Sequence, residues 1–449
     1  MEKHKAVVEK LKKLLDKHPV MKEDLEKSLR KAVDISQHGD PKNDIAPLDS
    51  NLYKAIDKEL GGKGWPKSAE AYYDYLDNYL RLIPNEIPSK EYPGAWTSDG
   101  TKNGYNQKVY DLLCQSYWLI DQDISEDPKK IRTIQSYDEF ADWLVDFANA
   151  WGAFLDTEES LTKATLASFE NDDMYNMEWY NGNKSTWTTF NQFFYREFNN
   201  ADPGTGKSPL RPIASPDDNT VIVSPADCTY QADYPINEKG EVLAKEGTRL
   251  KHTHSIGTIE ELLTGSNMDE ETKKRMKEYA KSFYGGTFIH YFLSPFDYHR
   301  FHTPISGKVL EITPIDGQVY LNVLSSDGQF HAPDHSESDD TKVGYEFTQA
   351  RGLIIIDGGA NVGKVAVLPI GMCQVSGVMM YDGTDPSLPN VKAKKYVVKG
   401  EEFGKFRFGG SDIIMLFEKP PQDLYMFRKD PSHIPIHFQY GQTSVYYNK

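Results

Sequence analysis

Three short segments combine residue types that can do chemistry. The first is Ser224–Pro225–Ala226–Asp227, at the end of the apolar run Val221–Ile222–Val223. A carboxylate directly after a buried strand is placed to orient a neighbouring group, although aspartate also serves there as a plain turn residue. The second runs from Leu293 to Pro304 and holds His299 and His302, three apart among aromatic residues. Histidine titrates near neutrality, which suits acid–base work. The same spacing on a helix would suit a metal ion, but Pro295 and Pro304 leave room for a couple of turns at most and no third ligand follows, so no metal is expected. The third is Phe406–Arg407–Phe408–Gly409–Gly410–Ser411–Asp412, followed by the apolar run Ile413–Phe417. Glycines beside a nucleophile let the backbone approach closely and take unusual angles; taken alone, an ordinary β-turn has the same composition.

These segments need elements to hold them. Up to about residue 200 the apolar positions follow a helical period, in Tyr72–Leu82, Lys108–Ile120 and Tyr137–Phe154, with polar loops between. From about residue 219 the apolar runs are short and strand-like: VIVSPA, FIHYFL, KVLEI, VYLNVL, GLIIID, KVAVLPI and DIIMLF. Turn dipeptides punctuate them at Asp316–Gly317, Asp327–Gly328, Asp357–Gly358 and Asp382–Gly383. The pattern predicts an α+β chain, with a helical N-terminal domain over residues 1–200 and a β-rich domain over 201–449. The join lies near the polar stretch DPGTGKSPLRP. Its Gly206–Lys207–Ser208 has the look of a phosphate-binding loop, but Ala201 stands where that loop needs glycine, and Pro209 and Pro212 block an immediate helix.

Composition narrows the partners. The chain has 449 residues and a formal net charge of −16, which disfavours nucleic acid and anionic lipid. Its three cysteines, Cys114, Cys228 and Cys373, are too far apart for a metal motif or a disulfide framework, so a reducing, cytoplasmic setting is expected. No apolar stretch is long enough to span a bilayer. The N-terminal MEKHKAVVEKLKKLLDKHPV reads as a basic amphipathic helix with Val7, Leu11, Leu14 and Leu15 on one side. Such a helix lies on a membrane or packs on its own domain; packing is the commoner use, and membrane association is not expected. The acidic run Asp334–Asp340 is expected to be a solvated loop and a candidate lid, since it lacks the spacing of a calcium loop.

Taken in order, SPAD, YHRFHTP and FGGS followed by an apolar strand resemble the phosphatidylserine decarboxylase family. Further matches are Phe193–Phe194–Tyr195–Arg196–Glu197–Phe198, Arg211–Pro212 and Lys399–Gly400–Glu401–Glu402–Phe403–Gly404. The resemblance covers about residues 190–420. It implies self-cleavage between Gly410 and Ser411: the serine attacks the preceding carbonyl, and elimination turns it into an N-terminal pyruvoyl group, a cofactor made from Ser411 itself. By motif position His302 resembles the base for that serine, Asp227 its orienting partner, and His299 the histidine of the decarboxylation step. The resemblance further implies that a substrate amine joins the pyruvoyl ketone as a Schiff base, which draws off the electrons released with carbon dioxide.

The sequence departs from the lipid-acting members. YEFTQARGLIIID lacks their Asn-Glu-Arg, and WGAFLD near Trp151, FNQFF and GMCQVS resemble a soluble branch that decarboxylates L-tryptophan. The expected substrate is therefore a small molecule, a free L-amino acid with an aromatic or otherwise apolar side chain; phosphatidylserine is the alternative. Cys228 stands where glycine is usual, and Asp412 where Ser or Thr is commoner. A binding relative that has lost processing is a third reading that these two departures suggest.

Overall fold

A computed structural model describes residues 2–88, 90–92, 105–106, 108–125, 132–180, 186–243, 255–266, 268–319, 323–331, 345–371 and 377–448. The acidic run Asp334–Asp340, Cys373 and most of GMCQVS lie outside the described residues. The chain is α+β, and it divides into two compact units.

The first unit takes in Met1–Met177, Ser185–Gln192 and Val319–Asp334. Its main helices are α1 (Glu2–Lys17), α2 (Pro19–His38), α3 (Ser50–Glu59), α4 (Ala69–Tyr79), α5 (Lys108–Trp118), α6 (Asp138–Leu155) and α7 (Lys163–Glu170). Asp49 and Ser68 cap α3 and α4 by accepting backbone N–H bonds, which satisfies donors that a helix start leaves open. The apolar side of α1 is covered within the unit: Val7, Leu11 and Leu15 are buried, and the Trp143 indole on α6 donates to the Val7 carbonyl at 2.9 Å. Aromatic rings fill the centre, with Tyr79 edge-on to Trp151 at 5.4 Å and tilted on Phe147 at 5.8 Å. Among the described residues no helix is long and apolar enough to cross a membrane.

One β-hairpin belongs to this helical unit. Leu324–Ser326 pairs with Gln329–His331 through a turn in which Asp327 and Gly328 both have positive φ, the geometry that an Asp-Gly pair favours. Phe330 packs 5.8 Å from Trp118 and 6.2 Å from Trp65, and the Gly328 carbonyl accepts the Asp49 N–H at 2.7 Å.

The second unit takes in Glu178–Lys184, Phe193–Gln318 and His335–Lys449. Its strands are β1 (Val221–Val223), β2 (Cys228–Pro235), β3 (Thr287–Leu293), β4 (Arg300–His302), β5 (Gly307–Ile315), β6 (Arg351–Asp357), β7 (Lys364–Gly371), β8 (Val378–Met380), β9 (Tyr396–Val397), β10 (Glu402–Phe406), β11 (Ser411–Phe417), β12 (Leu424–Met426), β13 (His437–Phe438) and β14 (Thr443–Tyr447). Eight form one antiparallel sheet in the order β9–β5–β6–β7–β11–β3–β2–β13; β8–β10–β4 and β12–β14–β1 form two smaller ones. Strand β11 lies inside the large sheet. Ser411 faces Gly371 on β7 and Leu293 on β3, and Phe417 faces Val365 and Thr287.

Side chains alternate across a strand. Ile414 and Leu416 therefore meet Ile259, Leu262, Met276 and Phe283 of the helical segment that covers one sheet face. Asp412 shares that face, and Ser411 points to the other. Both faces of β11 are buried, which explains why its sequence reads as an unbroken apolar run. Replacing Leu416 by alanine leaves a cavity in this core and should cost about 2–5 kcal/mol of stability; denaturant unfolding of the purified protein reads the loss directly.

Candidate active site

Ser411 is the first residue of β11 and is fully buried. Its hydroxyl donates to the Gly409 carbonyl at 3.3 Å. Gly409 has φ +148°, a backbone conformation that a side chain at this position would disfavour. The Gly-Gly pair thus does more than turn the chain: it lets the backbone take a conformation open to glycine right beside a buried hydroxyl.

The two histidines are placed differently. Neither lies on a helix. His299 follows a turn over Ser294–Asp297 by two residues, and His302 lies on β4, because Pro295 sits in the turn and the residues after His299 pair with β10. His299 stacks on Phe194 at 3.9 Å, and Phe194 meets Phe408 edge-on at 5.0 Å, so its ring is tied to the segment that leads to Ser411. Its Nε2 lies 3.4 Å from the Pro295 carbonyl. A carbonyl only accepts, so Nε2 carries the hydrogen and Nδ1 presents its lone pair; among the described residues Nδ1 has no hydrogen-bond partner. Burial, assisted by the nearby Arg196 charge, brings His299 down to about 3.

His302 is fixed at both nitrogens. Nδ1 lies 2.9 Å from the Gly400 carbonyl and Nε2 3.1 Å from the Tyr298 hydroxyl. By the same logic Nδ1 carries the hydrogen, and Nε2 is the basic atom, held by the Tyr298 O–H. The ring lies flat on Tyr440 at 3.8 Å. Burial lowers its pKa to about 4, against the pull of Glu402. The Gly400 carbonyl is itself anchored, because the Lys399 ammonium donates to the carbonyls of Ser215, Asp218 and Val221 at 2.6–2.8 Å.

The hydrogen bond implied between Asp227 and His302 is not made. The Asp227 carboxylate accepts from the Arg211 guanidinium at 3.0 Å and from the Tyr440 N–H at 2.8 Å. A buried carboxylate takes the permanent cation within reach before a neutral ring. Its link to His302 runs through Tyr440, which bonds Asp227 with its backbone and stacks on His302 with its ring. The carboxylate acting most strongly on His302 is Glu402, which is paired in register with it across β10 and β4. Burial works against ionised Glu402, but Arg300 at 2.7 Å wins and keeps its pKa low. Neither histidine hydrogen-bonds to Ser411 among the described residues.

Several participants escaped the sequence reading. Arg211 and Glu402 lay inside quoted motifs without a role, and Tyr298 inside YHRFH; Tyr440 carried no signal. The two departures are also placed. Cys228 is buried, its Sγ 3.3 Å from the Ser224 hydroxyl, and burial pushes its thiol up, so it serves as a small packing residue. The Asp412 carboxylate lies across the sheet from the Ser411 hydroxyl, 3.4 Å from His290. No group of residues suited to a metal ion occurs among the described residues.

The β-rich unit buries a Gly-Gly-Ser segment at the head of an interior strand, near two buried histidines held by aromatic rings and backbone carbonyls. The sequence profile described as phosphatidylserine decarboxylase matches residues 190–445. The chain belongs to this family of pyruvoyl-dependent carboxy-lyases. It is 33% identical over 231 residues to phosphatidylserine decarboxylase proenzyme 3 of Schizosaccharomyces pombe, covering 51% of this chain but 19% of that protein. It is 29% identical over 274 residues to the phosphatidylserine decarboxylase proenzyme of Clostridium novyi, covering 61% and 75%. Decarboxylase iboD of Amanita muscaria is 27% identical over 310 residues, covering 63% and 77%.

His290, His299 and His302 are all buried with pKa values lowered, to about 4, 3 and 4. A histidine whose folded pKa lies below its unfolded value contributes stability above the unfolded pKa, and that stability drains as pH falls toward the folded one. The thermal midpoint should therefore drop steadily between about pH 6.5 and pH 4; calorimetry across that window checks it, and a flat profile would refute the neutral-histidine assignment.

Proposed function

We propose that this chain processes itself at Gly410–Ser411 and then decarboxylates a free L-amino acid with an aromatic or otherwise apolar side chain. The observation that carries the reading is the buried Ser411 hydroxyl at the head of β11, next to the positive-φ Gly409. Attack of Oγ on the Gly410 carbonyl forms an ester as the Gly410–Ser411 C–N bond breaks. Loss of the Ser411 α-proton then expels Gly410 as a carboxylate, and water releases the nitrogen as ammonia, leaving a ketone at residue 411. His302 Nε2 is the base assigned to the first proton; Gly400 and Tyr298 orient it, and Asp227 acts through Tyr440.

The residues fit the group so formed. It would stay joined to β11 through the Asp412 amide, in a pocket already shaped for the serine. There it would supply a ketone beside an amide carbonyl, which takes up the electrons freed when carbon dioxide leaves. His299, with its open Nδ1, is assigned to take up the proton that the substrate ammonium sheds on joining the ketone and to return it to the carbon that loses the carboxylate. The free amino-acid substrate is supported by the sequence departures from the lipid-acting members and by the internally packed apolar face of α1. A second reading, phosphatidylserine as substrate, is favoured by the names of the S. pombe and C. novyi relatives.

Intact mass under denaturing conditions tests processing. The wild type should yield a C-terminal piece running from residue 411 to 449, lighter than its sequence by the conversion of serine; Ser411→Ala should remain whole and inactive. Decarboxylation by purified Ser411→Ala would refute the mechanism. Carbon dioxide release from the free amino acids and from phosphatidylserine vesicles then decides between the substrates. His299→Ala should still cleave but lose turnover by about 10²–10⁴-fold, measured as kcat on the processed protein.

A further inference from the structure

The turn between β3 and His299 is held by a carboxylate that the scheme above does not use. Asp297 is buried, and its two oxygens have separate tasks. Oδ2 accepts the Ser294 N–H at 2.7 Å, while the Asp297 N–H returns a bond to the Ser294 carbonyl at 2.9 Å. Oδ1 accepts from Nε2 of His437, at 2.7 Å, on the edge strand β13. Ser294 directly follows Leu293, the cross-strand partner of Ser411, and the next carbonyl, that of Pro295, faces His299. Arg196 grips the same turn by donating to the Phe296 carbonyl at 2.7 Å. One four-residue turn thus sets both the head of β11 and the His299 ring. The His437 side chain is 41% exposed, whereas that of Asp297 is 3% exposed.

We propose that Asp297 and His437 are positioning residues for the decarboxylation step: the His437–Asp297 ion pair locks the turn that carries His299, and turnover follows the charge of His437. The inference rests on the proposed role of His299. The charged and titratable groups facing the pair are Asp227, Arg211, Cys228 and Tyr180. Burial opposes the His437 cation, but the hydrogen bond and charge of Asp297 outweigh it and hold its pKa above the ordinary value. Burial likewise raises Asp297, with His437 pulling it back. A raised folded pKa means that the lock is complete at lower pH and loosens as pH rises through the His437 value.

The test compares wild type, His437→Ala, His437→Gln and Asp297→Asn, each scored for cleavage by intact mass and for kcat and KM against pH. His437→Ala should cleave yet lose about tenfold in kcat at the wild-type optimum with KM little changed, the size of one lost charge-assisted hydrogen bond. His437→Gln, which keeps a donor and cannot titrate, should recover most of that rate and lack the alkaline fall that the proposal predicts for wild type. Imidazole NMR gives a reading independent of turnover: His437 should titrate above an ordinary histidine, and Asp297→Asn should bring it down. A His437→Ala protein with wild-type kcat, a His437→Gln protein that keeps the alkaline fall, or an unshifted His437 titration each overturns the proposal. A wild type that cleaves but releases no carbon dioxide from any substrate overturns the decarboxylase reading, and the role of the pair with it.

Discussion

Everything in the β-rich unit depends on a ladder that holds β11 from both sides. The strand is hydrogen-bonded to β7 and β3 along its whole length, in register from Ser411 to Phe417. A chain cut at the head of this strand keeps the ladder from Asp412 onward and all of the strand's buried apolar surface. Under the proposed cleavage residue 411 would part from Gly410 while its neighbours on β3 and β7 stay in place. Few positions in a fold allow this, since a break in a loop would free the new end to move, and a break inside a strand would cost paired bonds. The head of an interior strand, preceded by two glycines, meets both demands.

Around that strand the site is built from groups kept in one protonation state. Arg211 satisfies Asp227, and Arg300 satisfies Glu402. Tyr298 and Tyr440 fill the space between them and bracket His302. Breaking any one pair would leave its partner charged in a dry interior, which costs far more than the pair itself contributes. The network thus resists change at many residues that never touch a reacting atom. Burial keeps His302 neutral against the pull of Glu402, with its Nδ1 hydrogen committed to a backbone carbonyl and the other nitrogen the only basic one.

Much of the architecture was legible because its causes are local. The periods in Lys108–Ile120 and Tyr137–Phe154 became α5 and α6, and the runs FIHYFL, GLIIID and DIIMLF became β3, β6 and β11. The order of SPAD, YHRFHTP and FGGS pointed to the family. What the residues could not reveal was which partner each polar group takes, since that is settled by contacts between distant segments. Asp227 was matched to His302 by analogy, yet Arg211 and Tyr440 hold it. Asp297 meets His437 across 140 positions of sequence. Similarly, VYLNVL and Asp327–Gly328 read as part of a β-rich domain, while the hairpin they lead into packs on Trp65 and Trp118.

That hairpin bears on how the protein can be taken apart. Phe330 is completely buried, and the rings packed on it, Trp65 and Trp118, come from the first third of the chain. A fragment beginning near residue 200 would retain the hairpin and lose its cover, exposing Phe330 and orphaning the Gly328 carbonyl. The two units are interleaved along the polypeptide, so a lineage that gained or lost the helices would have had to change residues 319–334 at the same time, and no single cut in the chain separates them.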